Sequence, residues 1–261
     1  MTDRFQLAGV PVRVESGDGE WLRLLERRLA RFRSSKEPRF TIRQETVGSR
    51  PRGVVSPFAV YREAHEAIEV DGGFRITTPS ASIEVDLVDR EASIRGPRAL
   101  YPFDLLVSYL LPIILDRGVL FHAAALAADG RGWIAAGPSG SGKSTLARIA
   151  GEAALCDESV AVRLEAGAPK LIATPYWRAR PGEAELAGIF LLQHGEETKR
   201  RRLPAGEAVA RISRQVQWPV CSRRRMRGAF DDVVSVVERV PVWDLTFRPH
   251  AETWDLIRKE P

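Results

Sequence analysis

The stretch GPSGSGKST, residues 137–145, lies between a short apolar run and a helical one, and no other feature constrains the chain as strongly. It matches the Walker A pattern G-x-x-x-x-G-K-[ST] without gaps, through Gly137, Gly142, Lys143 and Ser144. Glycines let successive backbone N–H groups converge on phosphate oxygens, in conformations that a side chain obstructs. Lys143 has the length to reach the β- and γ-phosphates of a nucleotide, and the Ser144 hydroxyl suits Mg²⁺. Ser144 and Thr145 open a helix whose N-terminus adds positive potential. GWIAA before the loop reads as a strand, and Leu146, Ile149 and Ala150 follow at helical spacing. Strand, loop and helix in this order predict a site for a nucleotide's phosphates.

What the nucleotide is for must be read from the flanking chain. Upstream, VLFHAAALAADGRGWIAAG reads as two strands turning at Asp129-Gly130, a hairpin that leads directly into the loop. A Ras-like or RecA-like core would have a parallel βαβ unit there instead. His122 sits on the lead-in strand, where the hairpin would lay it beside the nucleotide. Downstream, AALCDESVAVRLE reads as a returning strand broken at Asp157, Glu158 and Ser159. Asp157 follows Lys143 by 14 residues, enough for one helix and a return strand. Phosphoryl transfer needs positioning, charge neutralisation and one group that accepts the nucleophile's proton. The acid pair at the strand end, Asp157 and Glu158, supplies both needs, one carboxylate for Mg²⁺ and one for the hydroxyl. The later strand AGIFLLQHG ends in Gln193 and His194 with no acid directly after it, which counts against a motor ATPase; Gln193 reads as loop decoration, with water orientation in an NTPase as the alternative.

The rest of the chain carries no comparable constellation. The first third reads as a strand (RFQLAGVPVRVES), then a basic helix with an apolar face of Trp21, Leu22, Leu24, Leu25, Leu29 and Phe32. Short alternating segments then run from Arg39 to Ile94, among them FAVYREA, and predict an antiparallel region. RALYPFDLLVSYLLPIILDRG predicts a long helix interrupted near Pro112, too short in its apolar run for a membrane span. The domain boundary is expected at 97/98, with an N-terminal α+β region (1–97) suited to substrate or partner recognition and a nucleotide-binding domain (98–261). The 44% hydrophobic and 28% charged composition is that of a globular protein, and no signal-peptide core opens the chain, so the expected compartment is the cytoplasm. Cys156 lies in an apolar strand, and neither it nor Cys221 has metal or redox spacing. The net charge of +5 is concentrated in KRRR (199–202) and RRRMR (223–227). Such runs suit an acidic peptide, phosphates or a solvated face, and without aromatic or recognition-helix patterns nucleic acid is disfavoured. Trp177, Arg178 and Arg180 are candidates for the acceptor side. A homo-oligomer is left open.

FHAAAL, the hairpin into GPSGSGKST, a helix and LCDESVAV together resemble the HPr kinase/phosphorylase superfamily. ATPYW, ELAGIFLLQHGEETKRRRLPAGEAVARI and VPVWDLTFRP are similar to its later blocks, so the resemblance covers about residues 100–250. It implies an α/β (α+β) fold with the P-loop core shared by phosphoenolpyruvate carboxykinases, a mixed sheet, and a smaller antiparallel-β-rich N-terminal region. It implies ATP and Mg²⁺ as cofactors and transfer of phosphate to a serine hydroxyl of a protein or peptide. Asp157 matches the family's acid/base, Glu158 the second acid of its pair, and His122 the histidine near the transferred phosphate. Lys143 belongs to the catalytic set, and Gly137, Pro138, Ser139, Gly140, Ser141, Gly142, Lys143, Ser144 and Thr145 to the phosphate loop. The pair here is Asp-Glu rather than Asp-Asp, and the Glu-Val-Arg-Gly signature is missing, so the resemblance does not extend to the reverse reaction or to HPr. Short relatives of this layout belong to ribosomal peptide pathways, which implies a lasso-type precursor peptide as acceptor. Two alternatives stand beside this reading: a small-molecule kinase, and a nucleotide-gated binding module that uses the basic runs.

Overall fold

The computed structural model describes residues 1–48, 64–176, 179–219 and 222–259. These form a mixed α/β protein with two mixed sheets and, among the described residues, six α-helices. The chain divides into two compact units, Met1–Ile114 with Pro219–Arg225, and Leu115–Trp218 with Met226–Pro261.

In the first unit, β1 (Thr2–Leu7) and β2 (Val10–Ser16) form a hairpin where the sequence suggested one strand. The turn residues Ala8 and Gly9 both take positive φ, 49° and 81°, and the alternation on either side hides the reversal. Asp18 caps α1 (Gly19–Leu29), accepting from the Glu20 and Trp21 amides. Trp21, Leu22, Leu25 and Leu29 are buried, whereas Leu24 lies 40% exposed, off the apolar face assigned to it. β3 (Phe40–Thr46), β4 (Glu66–Val70), β5 (Gly73–Thr77), β6 (Ser82–Asp86) and β7 (Glu91–Gly96) complete a sheet of order β1-β2-β3-β7-β6-β5-β4. The expectation of an antiparallel region is corrected at β3, which runs parallel to both β2 and β7. The cause is the helix: α1 carries the chain back across the sheet, so β3 starts from the same end as β2. FAVYREA lies almost wholly outside the described residues. The helix α2 (Tyr101–Ile114), with Pro112 inside it, belongs to this unit, so the compact units part at 114/115 rather than at 97/98. Its Leu106, Leu110 and Leu111 are fully buried, which ties it to the first unit's core.

The second unit is built on a nine-stranded sheet. β8 (Gly118–Phe121), β9 (Ala123–Ala128) and β10 (Arg131–Ala136) lead to α3 (Lys143–Ala150). β9 and β10 form the expected hairpin, turning at Asp129 and Gly130 with φ of 54° and 77°. β11 (Ala154–Cys156), β12 (Val160–Arg163), β13 (Lys170–Ala173) and β14 (Glu183–His194) follow. Then come β15 (Lys199–Arg202), α4 (Ala205–Ile212), α5 (Arg223–Arg239), β16 (Val242–Phe247) and α6 (Ala251–Arg258). The path β11-β9-β10-β14-β13-β12-β8 is joined by β16, parallel to β14, and by β15 on β16's outer side. β10 has an antiparallel neighbour in β9 and a parallel one in β14.

Period-two alternation turns one face of this sheet toward α3 and α6. Ala124 and Leu126 of β9, Trp133 and Ala135 of β10, Phe190 and Leu192 of β14, and Leu245 and Phe247 of β16 pack with Leu146, Ala147, Ala150 and Ile257. The alanines of β9 leave room for a helix to lie close, and Leu146 fills the space without exposure. Trp133 meets Trp254 of α6 edge to face, with centroids 5.5 Å apart. Among the described residues no helix is long and apolar enough to cross a membrane. Leu146→Ala should cost about 3 kcal/mol of unfolding free energy, from lost burial and the cavity left behind. Urea denaturation checks this, as a lower midpoint at unchanged slope.

Candidate functional site

Two strand breaks meet at one edge of the second sheet. β8 passes into β9 through His122, and β11 passes into β12 through Asp157, Glu158 and Ser159. β12 pairs with β8 and β11 with β9, Val160 opposite Phe121 and Cys156 opposite Ala125, so the two breaks lie side by side. The same edge holds the C-terminal end of β10, from which the phosphate loop departs. Local chain character accounts for this. Buried apolar residues on either side of His122 carry the strands, and Asp157 and Ser159 favour a turn over continued pairing.

The loop has the backbone its glycines permit. Gly140 and Gly142 have φ of 80° and 100°. A Cβ on Gly142 would lie 2.6 Å from Cζ of Phe247, so both conformation and space require glycine there. α3 starts at Gly142 with no side chain capping it, which leaves its first amides to whatever sits in the loop. Lys143 folds back over the loop, its Nζ donating to the carbonyls of Gly137 (2.7 Å) and Pro138 (3.1 Å). Pro138, Ser139, Gly140 and Ser144 are exposed, Thr145 is half-buried, and Ser141 is buried.

Glu158, rather than Asp157, is the acid that faces the other charged groups. Its Oε1 lies 4.0 Å from Nδ1 of His122. Burial lowers the His122 pKa, and the Lys143 charge lowers it further, against the opposing pull of Glu158. Burial also lowers the Lys143 pKa, again opposed by the Glu158 carboxylate. His122 and Lys143 thus both feel the Glu158 carboxylate, and His122 also feels the Lys143 charge. Asp157 is half-buried on the same turn and makes no hydrogen bond or ion pair among the described residues.

Ser159 secures the turn from below. It is buried, its carbonyl accepts from Thr174 Oγ1 (2.6 Å) and Cys156 Sγ (2.9 Å), and its hydroxyl accepts from Gln217 Nε2 (3.1 Å). The segment around Gln217 flanks β8: the Gln217 amide donates to Leu120 O and the His122 amide to Gln215 O, both at 2.7 Å. Cys156 is a core thiol, pushed up to about 12 by burial, in keeping with the inert role expected of it. Cys221 lies outside the described residues.

Among the described residues no three His, Cys, Asp or Glu side chains are grouped to hold a metal ion. Mg²⁺ is commonly held by one or two carboxylates together with substrate phosphates and water. Ser144 and Glu158 fit an ion that arrives on phosphates, and do not fit a cage for a resident one. The uncapped start of α3, the glycine backbone and Lys143 likewise fit a polyphosphate.

Three further candidates are placed differently. Trp177 and Arg178 lie outside the described residues. Arg180 braces β11, donating to Ala154 O at 3.0 and 3.2 Å and pairing with Glu152, so its head group is occupied. In the first basic run, Arg201 pairs with Glu207 and Asp244, and Arg200 lies over the Trp243 ring at 5.3 Å. Much of that positive charge is thus balanced within the fold.

His194 was not singled out from the sequence. It ends β14, and its Nε2 lies 2.6 Å from the Gly140 carbonyl at the apex of the loop. Its ring stacks on Phe247, with centroids 5.8 Å apart and planes 26° from parallel. The available signal was its place at the end of an apolar strand, which gains meaning only when β14 is known to lie beside β10.

Comparison of the chain with family models finds no match, and comparison with curated proteins finds none either.

Two outcomes follow from this geometry. A histidine with a lowered pKa binds fewer protons folded than unfolded, so stability rises with pH across the window between its folded value and 6.5. The His122 contribution is therefore intact above 6.5 and is lost as pH falls through that window. His122→Gln should flatten the dependence in a urea series run from pH 7.5 to 5. Gly142→Ala should destabilise the fold by about 1–2 kcal/mol through the left-handed backbone alone, and by more through contact with Phe247.

Proposed function

We propose that this chain is an ATP-dependent kinase that transfers phosphate to a serine hydroxyl of a protein or peptide. The observation that carries the reading is the meeting of His122, Lys143 and Glu158 at the sheet edge where the phosphate loop begins. A binding module needs the loop; an acid turn beside it is what a transfer reaction adds. The resemblance to HPr-kinase-like proteins supports the same reading, and with it a P-loop core of the phosphoenolpyruvate carboxykinase type. A lasso-type precursor peptide is the acceptor class this favours.

Mg·ATP would supply the transferable phosphoryl group and the neutralising cation. Gly137 to Thr145 would hold its phosphates, through backbone amides, the start of α3 and Lys143. Lys143 donates to loop carbonyls, so its ammonium lies over the loop and needs little movement to meet an anion. Glu158, already facing Lys143 and His122, belongs on the phosphate side, with Ser144 as the partner donor for Mg²⁺. Asp157 makes no bond to a neighbouring side chain, so its carboxylate is available to take the proton of an incoming hydroxyl. His122 keeps its neutral form at pH 7, because burial and Lys143 both disfavour the imidazolium. It then places an uncharged hydrogen-bonding ring where transferred charge develops.

Asp157→Asn should leave ATP affinity within about twofold and lower transfer by roughly 10²–10⁴, the range for loss of a general base. Glu158→Gln should weaken binding of Mg·ATP as well as transfer. Both are read with radiolabelled ATP and a serine-containing peptide panel, followed by mass spectrometry of the acceptor. Transfer by the Asp157 variant at the wild-type rate would show that another group takes the proton.

A further inference from the structure

The phosphate loop is supported from outside by a group that neither its own motif nor the acid turn provides. In a loop whose amides converge on an anion, the carbonyls turn outward and need donors of their own. Lys143 serves Gly137 and Pro138. The Gly140 carbonyl faces Nε2 of His194 at 2.6 Å, and a carbonyl only accepts, so Nε2 carries the proton. His194 is the last residue of β14, the parallel neighbour of β10, and its β16 partner in the register is Phe247. The ring stacks on Phe247, and Phe247 in turn occupies the space beside Gly142. Two rings from two adjacent strand ends thus bear on the loop at Gly140 and Gly142, two of its three glycines with positive φ.

We propose that His194 is a positioning residue for nucleotide polyphosphate. Its Nε2–H holds the Gly140 carbonyl outward, and so keeps the neighbouring amides turned toward the anion before it arrives. Preorganisation of this kind lowers the ordering cost that binding must meet. The proposal rests on the phosphate-binding reading of the loop, and the stacked Phe247 separates the effect of the donor from that of the aromatic surface. His194→Phe keeps a ring against Phe247 and removes the donor. His194→Gln keeps an N–H of similar reach and removes the ring.

The test compares wild type, H194F and H194Q in two measurements. The first is hydrogen exchange of the nucleotide-free protein, read at amides 139–142 with those of β10 and α3 as internal references. The second is titration with a fluorescent ATP analogue and Mg²⁺. The expected result is faster exchange at 139–142 in H194F alone, with reference amides unchanged. Analogue affinity should fall about tenfold in H194F, as for one lost hydrogen bond, and return to within about threefold in H194Q. If H194F does not fold, H194N replaces it, because its shorter amide cannot reach Gly140 from the same backbone. Unchanged loop exchange in the donor-deficient variant overturns the proposal, as does equal loss of affinity in H194F and H194Q. If wild type itself binds no nucleotide, the kinase reading fails, while the exchange comparison still decides whether His194 holds the loop.

Discussion

The candidate site depends on one pairing arrangement: β12 lies against β8 and β11 against β9, so that two interrupted strands share their interruptions. A backbone that stops pairing at the same level on both strands places His122 beside Asp157 and Glu158 with no long-range loop needed to bring them together. The hairpin of β9 and β10 then carries that level across to the start of the phosphate loop. Shifting either strand by one residue would turn His122 into the core and Ala123 toward the edge, because successive side chains alternate between faces. The site is therefore a property of register as much as of residue identity.

The charges at this edge are arranged with little surplus. Lys143 is buried and drawn back over its own loop, Glu158 partly offsets it, and His122 stays neutral between them. A buried ammonium with only partial compensation favours an incoming anion. Elsewhere in the second unit several cations are already matched: Arg201 and Arg211 share Glu207 and Asp244, and Arg117 binds Asp232. The basic run at 199–202 is thus a poor guide to where positive potential is available. The phosphate loop and its lysine are a better one.

Much of the local structure was legible in the chain, because it is written in short-range terms. The loop glycines, the Asp129-Gly130 turn, the helix from Lys143 to Ala150 and the break at Asp157–Ser159 each follow from residue preferences over a few positions. What was hidden depends on partners distant in sequence. The parallel pairing of β3 could not be told from antiparallel pairing by alternation, which has the same period in both. The assignment of α2 to the first unit depends on which core its leucines enter. His194 acquires a role only through the adjacency of β14 to β10, some 50 residues away in the chain, and His194 to Gly140 alone spans 54 positions. The two acids of the turn look equivalent in sequence, and only the fold distinguishes the one that faces Lys143 from the one that stays unpaired.

Ser159 ties three parts of the chain to a single buried residue. Its carbonyl and hydroxyl hold Cys156, Thr174 and Gln217, so the turn bearing both acids is fastened to two flanking segments that are 43 residues apart by their anchoring positions. Displacing the turn's backbone at Ser159 would break the bonds to both flanks. The carboxylates thus stand on a backbone anchored from two sides, at Thr174 and at Gln217, and this anchoring is built without any charged group.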